Sequence, residues 1–260
     1  MGNGSLWPRG APCALSIGSV VAGFVLCLAL GGSSSIAAPS AILYPDLLTV
    51  VPGQLMTRTR EGVSHLLFTN VIANMGTGPL QILGVHSATI TIGYQQLLNA
   101  SGQVAVQFPV STFEFHPQHG HWHIDNVAEY KLRAGALDGA VVAQFTKVTF
   151  CLIDTERLVP KTAAGPRTYF GCNAQLQGIT NGWGDEYIRG LPGQELPITG
   201  LPTGVYYLVS TADPGNNFVE TNDANNAAWV KIQLYYVSGL PRVTVLDHSP
   251  CEGVLCGDVK

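Results

Sequence analysis

Along most of this chain, apolar and polar positions alternate in short runs separated by turn residues, the pattern of β-strands. The run at 46–51 follows Pro45 and stops at Pro52-Gly53. Residues 64–73 (SHLLFTNVIA) form an apolar strand that ends at Asn74-Met75-Gly76-Thr77-Gly78-Pro79. Runs at 80–84 and 87–95 follow, 104–108 alternates, and 112–130 holds a cluster of histidines. The stretch 141–153 is a long β-branched and aromatic run. Leu196-Pro197 leads through Gly200 and Gly204 into 205–209, and 227–236 closes the core. No helix of useful length shows a 3.6-residue period. The pattern predicts an all-β protein: a β-sandwich core with long irregular loops at 154–195 and 211–226. Loops of that length in a compact domain are functional or pinned by a ligand. There is no internal repeat and no sign of a second domain.

Composition agrees with this reading. Of 260 residues, 46% are hydrophobic and only 12% charged, with 30 glycines and 16 prolines, a balance that favours turn-rich β structure. The net charge of -4 comes with no basic patch, which argues against a nucleic-acid partner. Arg9, the uncharged apolar run 14–30 and the small residues Ser35-Ile36-Ala37-Ala38 read as an export signal. Pro39 disfavours a cut just before it, so cleavage is expected after Ala37. The apolar run lies near the lower limit for crossing a bilayer, so an uncleaved signal anchor is the alternative. Either way the body of the protein is expected outside the cytoplasm, secreted or facing outward from a membrane. Cys13 and Cys27 belong to that segment. Cys151, Cys172, Cys251 and Cys256 remain, an even number that suggests two disulfides in an exported chain. Cys151 with Cys172 and Cys251 with Cys256 is the simplest of three connectivities.

Residues 113–123 read Phe-Glu-Phe-His-Pro-Gln-His-Gly-His-Trp-His, with four of the seven histidines at 116, 119, 121 and 123. In a strand, His119, His121 and His123 share one face, opposite Gly120 and Trp122. Imidazole suits copper, zinc, iron and nickel, and chemistry alone does not choose among them. In a straight strand, residues four apart lie about 13 Å from each other, too far for joint ligation. The strand must therefore bend, and Gly120 is placed to allow it. His116, with odd spacing and before Pro117, is either an outer partner, a substrate-facing group or a ligand.

The segment His116-Pro-Gln-His-Gly-His-Trp-His123 resembles the copper-binding stretch H-x-x-H-x-H-x-H of the lysyl oxidase family. The resemblance runs in one order over about residues 45–236. Upstream, Gly62-Val-Ser-His-Leu-Leu-Phe-Thr-Asn-Val-Ile-Ala-Asn-Met-Gly-Thr resembles the family's strand and N-x-G-T turn. Downstream, Lys147-Val-Thr-Phe-Cys-Leu-Ile-Asp-Thr resembles its K-x-x-F-C-L-x-D-T segment. Gly171-Cys172, Gln177-Gly178-Ile179, Gly182-Trp-Gly-Asp-Glu-Tyr187, Gly204-Val-Tyr-Tyr-Leu and Glu220-Thr-Asn-Asp-Ala-Asn-Asn226 complete the set.

The resemblance implies a copper amine oxidase whose organic cofactor, lysine tyrosylquinone, is made from its own lysine and tyrosine. By position these are Lys147 and Tyr187. Lys147 alternates with Phe145, Thr149 and Cys151 in a hydrophobic run, an odd place for a solvated charge. Tyr187 is expected in a Gly-rich loop. His119, His121 and His123 are the implied copper ligands. The implied reaction condenses the quinone with a primary amine, such as peptidyl-lysine. A carboxylate then removes the α-proton, and aldehyde, ammonia and, with O2, peroxide are released. Asp185, Asp154 and Asp125 are candidate bases. The 211–226 segment packs side-chain oxygens densely, as a hard cation requires. The resemblance maps calcium ligands onto Glu220, Asn222, Asn225 and Asn226, with Asp46 and the Leu47 carbonyl.

This chain departs from the animal members in several places. Gln118 stands where they carry a cysteine within the histidine run, and a second cysteine after the F-C-L-x-D-T segment is missing. Losing both leaves Cys151 and Cys172 to pair, restraining the loop between Lys147 and Tyr187. On this reading no scavenger-receptor module or propeptide is expected, so collagen or elastin need not be the substrate, and the pattern resembles compact microbial members. The expected organisation is residues 1–37 as signal or anchor, 38–44 as linker, 45–236 as catalytic domain, and 237–260 as a tail with a local disulfide. Two other readings compete. One is a non-catalytic extracellular copper- and calcium-binding module. The other is an adhesion sandwich with calcium in the Asn-rich loop.

Overall fold

A computed structural model describes residues 40–117 and 119–259, with the backbone alone at 146–148. The export segment, including Cys13 and Cys27, lies outside the described residues, as does Gln118. Sixteen strands are formed. They are β1 (Ile42–Leu43), β2 (Leu47–Thr49), β3 (Gly53–Arg60), β4 (Val63–Asn74), β5 (Leu80–Ser87), β6 (Ile90–Asn99), β7 (Val104–His116) and β8 (His121–Ala134). They continue as β9 (Val141–Phe150), β10 (Glu156–Arg157), β11 (Leu176–Ile179), β12 (Trp183–Tyr187), β13 (Glu195–Pro197), β14 (Gly204–Ala212), β15 (Ala227–Val237) and β16 (Leu240–His248). Two single-turn 3-10 helices, Asp223–Asn225 and Gly253–Cys256, are the only helices among the described residues. None is long and apolar enough to cross a membrane.

One sheet of ten strands runs β11-β5-β6-β7-β8-β14-β15-β16, with β1 beside β6 and β9 beside β8. A sheet of six gathers around β4, which pairs with β2, β3, β12 and β13, while β10 extends β12. The fold is the expected all-β sandwich. Inward residues of β4 (Leu66, Phe68, Ile72) meet those of β8, β14 and β15 (Tyr130, Leu132, Leu208, Val230, Ile232) in one core. Phe68 meets the Tyr130 ring edge-on, with centroids 4.7 Å apart, the arrangement that aromatic quadrupoles favour. β4 is buried on both faces because Val71 and Ala73 pack outward against Val50, Leu158 and Leu255.

The structure corrects the predicted pattern in four places. The 154–195 loop contains β10, β11 and β12 and ends where β13 begins, strands too short to leave a period in the sequence. Gly53–Arg60 is a strand, although Pro52-Gly53 reads as a stop. The 237–260 tail begins with β16, which pairs with β15. Finally, the histidine segment is a hairpin and not one bent strand. Both expected disulfides, Cys151–Cys172 and Cys251–Cys256, are present.

Candidate metal centre

β7 ends at His116 and β8 begins at His121, and these two residues face each other on the last rung. The turn between them closes where the His119 and Gly120 N–H groups both donate to the His116 carbonyl, at 3.0 and 2.8 Å. Gly120 has φ +71°, a left-handed conformation that glycine adopts without strain. The turn carries His119 back over the strand, which resolves the 13 Å problem of a straight run. His119 Nδ1 lies 3.2 Å from His123 Nε2, and His121 Nε2 lies 2.9 Å from it. With metal–nitrogen bonds of about 2.0–2.1 Å, such separations subtend roughly 90–105° at a shared ion. Two of the three predicted histidines, His119 and His121, thus each approach His123 Nε2 at a spacing that a shared metal fits.

His116 joins them. Its ring stacks on that of His123, with centroids 4.3 Å apart and 18° between planes. The set whose ring nitrogens all lie within 4.8 Å of one another is His116, His119 and His123, so His116 takes the place that the sequence reading gave to His121. Thr149 on β9 orders the pair, its Oγ1 lying 2.9 Å from His123 Nδ1 and 3.3 Å from His116 Nε2. The hydroxyl has one proton. An Nδ1–H on His123 donating to Thr149, and Thr149 donating to His116, satisfies every group. That assignment leaves His123 Nε2 unprotonated toward His119 and His121, the usual role of an outer partner at a metal-binding imidazole.

Burial, followed by its histidine neighbours, pushes His123 down to about 4, and the same causes lower His121. Both are therefore neutral near pH 7, as ligation requires.

The histidines line a cavity of about 570 Å³ together with Glu114, Asp125, Phe145, Thr149, Phe150, Tyr187 and residues 191–193. Tyr187 is on β12, paired with Asn70 of β4, not in the Gly-rich loop the sequence suggests. Its hydroxyl donates to the Cys151 carbonyl at 3.0 Å, and its ring packs 3.7 Å from that of Phe150. Burial, then the Asp185 charge, holds that phenol well above its ordinary value. Lys147 lies in β9 between Phe145 and Thr149, both in the cavity wall, and its side chain is outside what the structure describes. The β8–β9 register shifts between the pairs Ala128–Val148 and Tyr130–Phe145, which puts an extra β9 residue beside Lys147.

Geometry separates the three aspartates. Asp154 is fully buried, and its carboxylate accepts from Thr168 N (2.8 Å), Tyr169 N (3.0 Å), Thr180 N (2.7 Å) and Thr180 Oγ1 (2.6 Å). It is a knot for the 154–180 loop and does not line the cavity. Asp154→Ala is expected to destabilise the fold by about 3–5 kcal/mol, because it strands buried donors. This is measured as a lower urea midpoint at constant slope, and an unchanged midpoint contradicts it. Asp125 lines the cavity on β8 and accepts from the Asn126 N–H at 2.9 Å. Asp185 is buried behind Tyr187, where burial holds its carboxyl well above the usual range despite the Tyr187 hydroxyl and the Ile153 N–H. Sequence reasoning missed Thr149 and Glu114 as parts of this site. Their strand parity relative to Lys147 and His116 is the one signal that points to them.

The residues of the second predicted site are brought together in part. Glu220 accepts from the Leu47 N–H through Oε2 and from Asn226 Nδ2 through Oε1 at 2.8 Å. Asn225 Nδ2 donates to Asp46 Oδ1 at 3.1 Å. Asn222 instead caps the short helix, its Oδ1 accepting from Ala224 N at 3.1 Å. Burial pushes the Glu220 carboxyl up to about 7.

Fold and site together define a β-sandwich in which one hairpin brings four histidines to a cavity that also holds a tyrosine. A sequence model described as Lysyl oxidase matches residues 92–244, and the chain belongs to that family. It is 30% identical over 129 residues to protein-lysine 6-oxidase of Rattus norvegicus, covering 48% of this chain and 29% of that protein. The same identity holds over 149 residues with lysyl oxidase homolog 2 of Gallus gallus, covering 54% and 18%. Protein-lysine 6-oxidase of Sus scrofa is 30% identical over 129 residues, covering 48% of each. The matched region spans less than half the length of each of these relatives.

Proposed function

We propose that this protein is an exported copper-dependent amine oxidase. Its quinone is made from Tyr187 and Lys147, and it converts primary amines, such as small amines or peptidyl-lysine, to aldehydes. The observation that carries this reading is that Tyr187 and the convergent histidines line one cavity. The donor set suits copper, since three imidazole nitrogens at this spacing match a first-row metal. When bound, copper supplies the redox chemistry with O2 that oxidises the tyrosine ring.

The chain's own residues supply the rest. His119, His121 and His123 hold the metal, and Thr149 fixes the His123 tautomer. The Cys151 carbonyl orients the Tyr187 hydroxyl, and Phe150 holds the ring plane. Lys147 supplies the amine that joins the ring. Phe145, Phe150 and residues 191–193 exclude water, which strengthens electrostatics inside the cavity. Of the candidate bases, Asp185 sits against Tyr187, while Asp125 sits on the histidine strand. On this reading residues 45–236 form the catalytic domain and residues 1–37 direct export or anchor the chain. Aerobic copper loading tests the proposal: quinone absorbance should develop, and primary amines should then release peroxide. Copper bound with neither signal would leave a non-catalytic metal-binding module.

We also propose that Asp46, the Leu47 carbonyl, Glu220, Asn222, Asn225 and Asn226 hold a structural calcium ion. Asn225 and Asn226 each donate their amide nitrogen to a carboxylate while their Oδ1 atoms stay buried without partners. Turning either amide over would put oxygen against carboxylate, so each oxygen is left for a cation. Calcium at 100 times its Kd is expected to raise Tm by about 5–10 °C. Glu220→Gln should abolish that rise, and equal rises in both proteins contradict the assignment.

A further inference from the structure

Five buried side-chain polar atoms among the described residues make no hydrogen bond. Two are the Asn225 and Asn226 oxygens. The other three, Asn70 Nδ2, Asp185 Oδ2 and Gln194 Oε1, belong to residues gathered near Tyr130 by the pairing of β12 with β4 and by the Gln194–Tyr130 contact. Gln194 Nε2 donates to that hydroxyl at 3.3 Å. The Asn70 amide and the Asp185 charge both act on the same hydroxyl. Asn70 is also the cross-strand neighbour of Tyr187, two residues from Asp185. All four residues are at most 1% exposed.

Packing explains how they are held. Asn70 Oδ1 accepts from the Thr49 hydroxyl at 2.8 Å, so the amide's other end faces inward. Gln194 follows directly on the cavity wall, its N–H donating to the Leu191 carbonyl and its own carbonyl accepting from Phe68 N, both at 3.2 Å. The set therefore lies between the two sheets, behind the tyrosine that faces the histidines. One orphaned donor and two orphaned acceptors around a hydroxyl form a polar site of the kind that ordered water fills. An apolar void would stay dry, and three unsatisfied buried groups would each cost far more than immobilising a water.

We propose that Asn70, Tyr130, Asp185 and Gln194 enclose a buried water site behind Tyr187, with Tyr130 the positioning residue that ties this water to the cavity wall. The water gives Asp185 Oδ2 the hydrogen-bond partner it otherwise lacks. The Tyr130–Gln194 bond anchors the segment that carries residues 191–193 of the cavity wall. The water site stands on packing alone, whereas its effect on turnover rests on the quinone reading above.

A crystal structure of the full metal-free protein, showing ordered solvent, tests the site directly. A water bonded to Asn70 Nδ2 and to Asp185 Oδ2 or Gln194 Oε1 is expected. A dry site, with the amides turned to pair directly with Tyr130 and Asp185, overturns it. Tyr130→Phe keeps the ring and its contact with Phe68 while removing the hydroxyl. In the copper-loaded variant, kcat is expected to fall about five- to tenfold at unchanged KM, with a displaced pH profile. Unchanged kcat and pH profile overturn the positioning role. If Tyr130→Phe does not fold, Gln194→Met removes the orphaned acceptor and is read in the same way. A wild-type protein with the water but no quinone overturns the enzyme reading and leaves the water site standing.

Discussion

Tyr187→Phe should abolish quinone absorbance and cut amine-dependent peroxide release by about a thousandfold or more, because no ring hydroxyl remains to be oxidised. Copper binding should stay within a few-fold of wild type, since none of the converging nitrogens belongs to this residue. The fold should survive as well. The phenol donates to the Cys151 carbonyl and also meets the Asp185 carboxyl, contacts worth on the order of 1–2 kcal/mol, and the ring contact with Phe150 is retained. The comparison of copper-binding isotherms with peroxide yield makes the test specific. Residual turnover near the wild-type rate would remove Tyr187 from the chemistry, whereas joint loss of copper and activity would make its role structural.

His123→Ala should have the other large effect. His123 Nε2 is the nitrogen that both His119 and His121 approach, and Thr149 orients its ring from the far side. Its loss removes a ligand and opens a buried gap, and copper affinity should fall by about a thousandfold or more. His116→Ala should cost only about 10–100-fold, the range typical of an outer partner, because His116 stacks on His123 and meets Thr149. Equal losses in the two variants would make His116 a ligand and exchange it for His121. Competition against a chelator of known affinity resolves the two ranges.

The strands visible in the sequence are those whose length exceeds their turns. β4, β6, β8, β9, β14 and β15 carry enough alternating or apolar residues to declare themselves, and the sandwich follows from them. β10 and β13 are two and three residues long, and their pairing comes wholly from contact with β12 and β4. For the same reason Tyr187 reads as a loop residue: glycines surround it, and β4 supplies the ladder. The histidine run reads as a candidate metal site through its composition, whereas its geometry leaves no trace in the sequence. Alternation at 119, 121 and 123 suggests one strand, whereas the Pro117 and Gly120 turn places His119 above the strand. Candidate bases could not be ranked from sequence, because Asp154 and Asp185 differ only in which groups they meet. Asp154 collects four donors, and Asp185 is left with an unpaired oxygen. The water site around Tyr130 has no sequence signal, since its four residues come from β4, β8, β12 and the segment before β13.

The central claim is that copper at the histidine hairpin makes a cofactor from Lys147 and Tyr187. Intact mass and peptide mapping of the protein before and after aerobic copper loading test it most directly. The predicted result is a mass change matching an oxidised lysine–tyrosine crosslink, with the peptides containing Lys147 and Tyr187 recovered as one fused species. Copper-loaded protein that yields those two peptides separately and unmodified would contradict it.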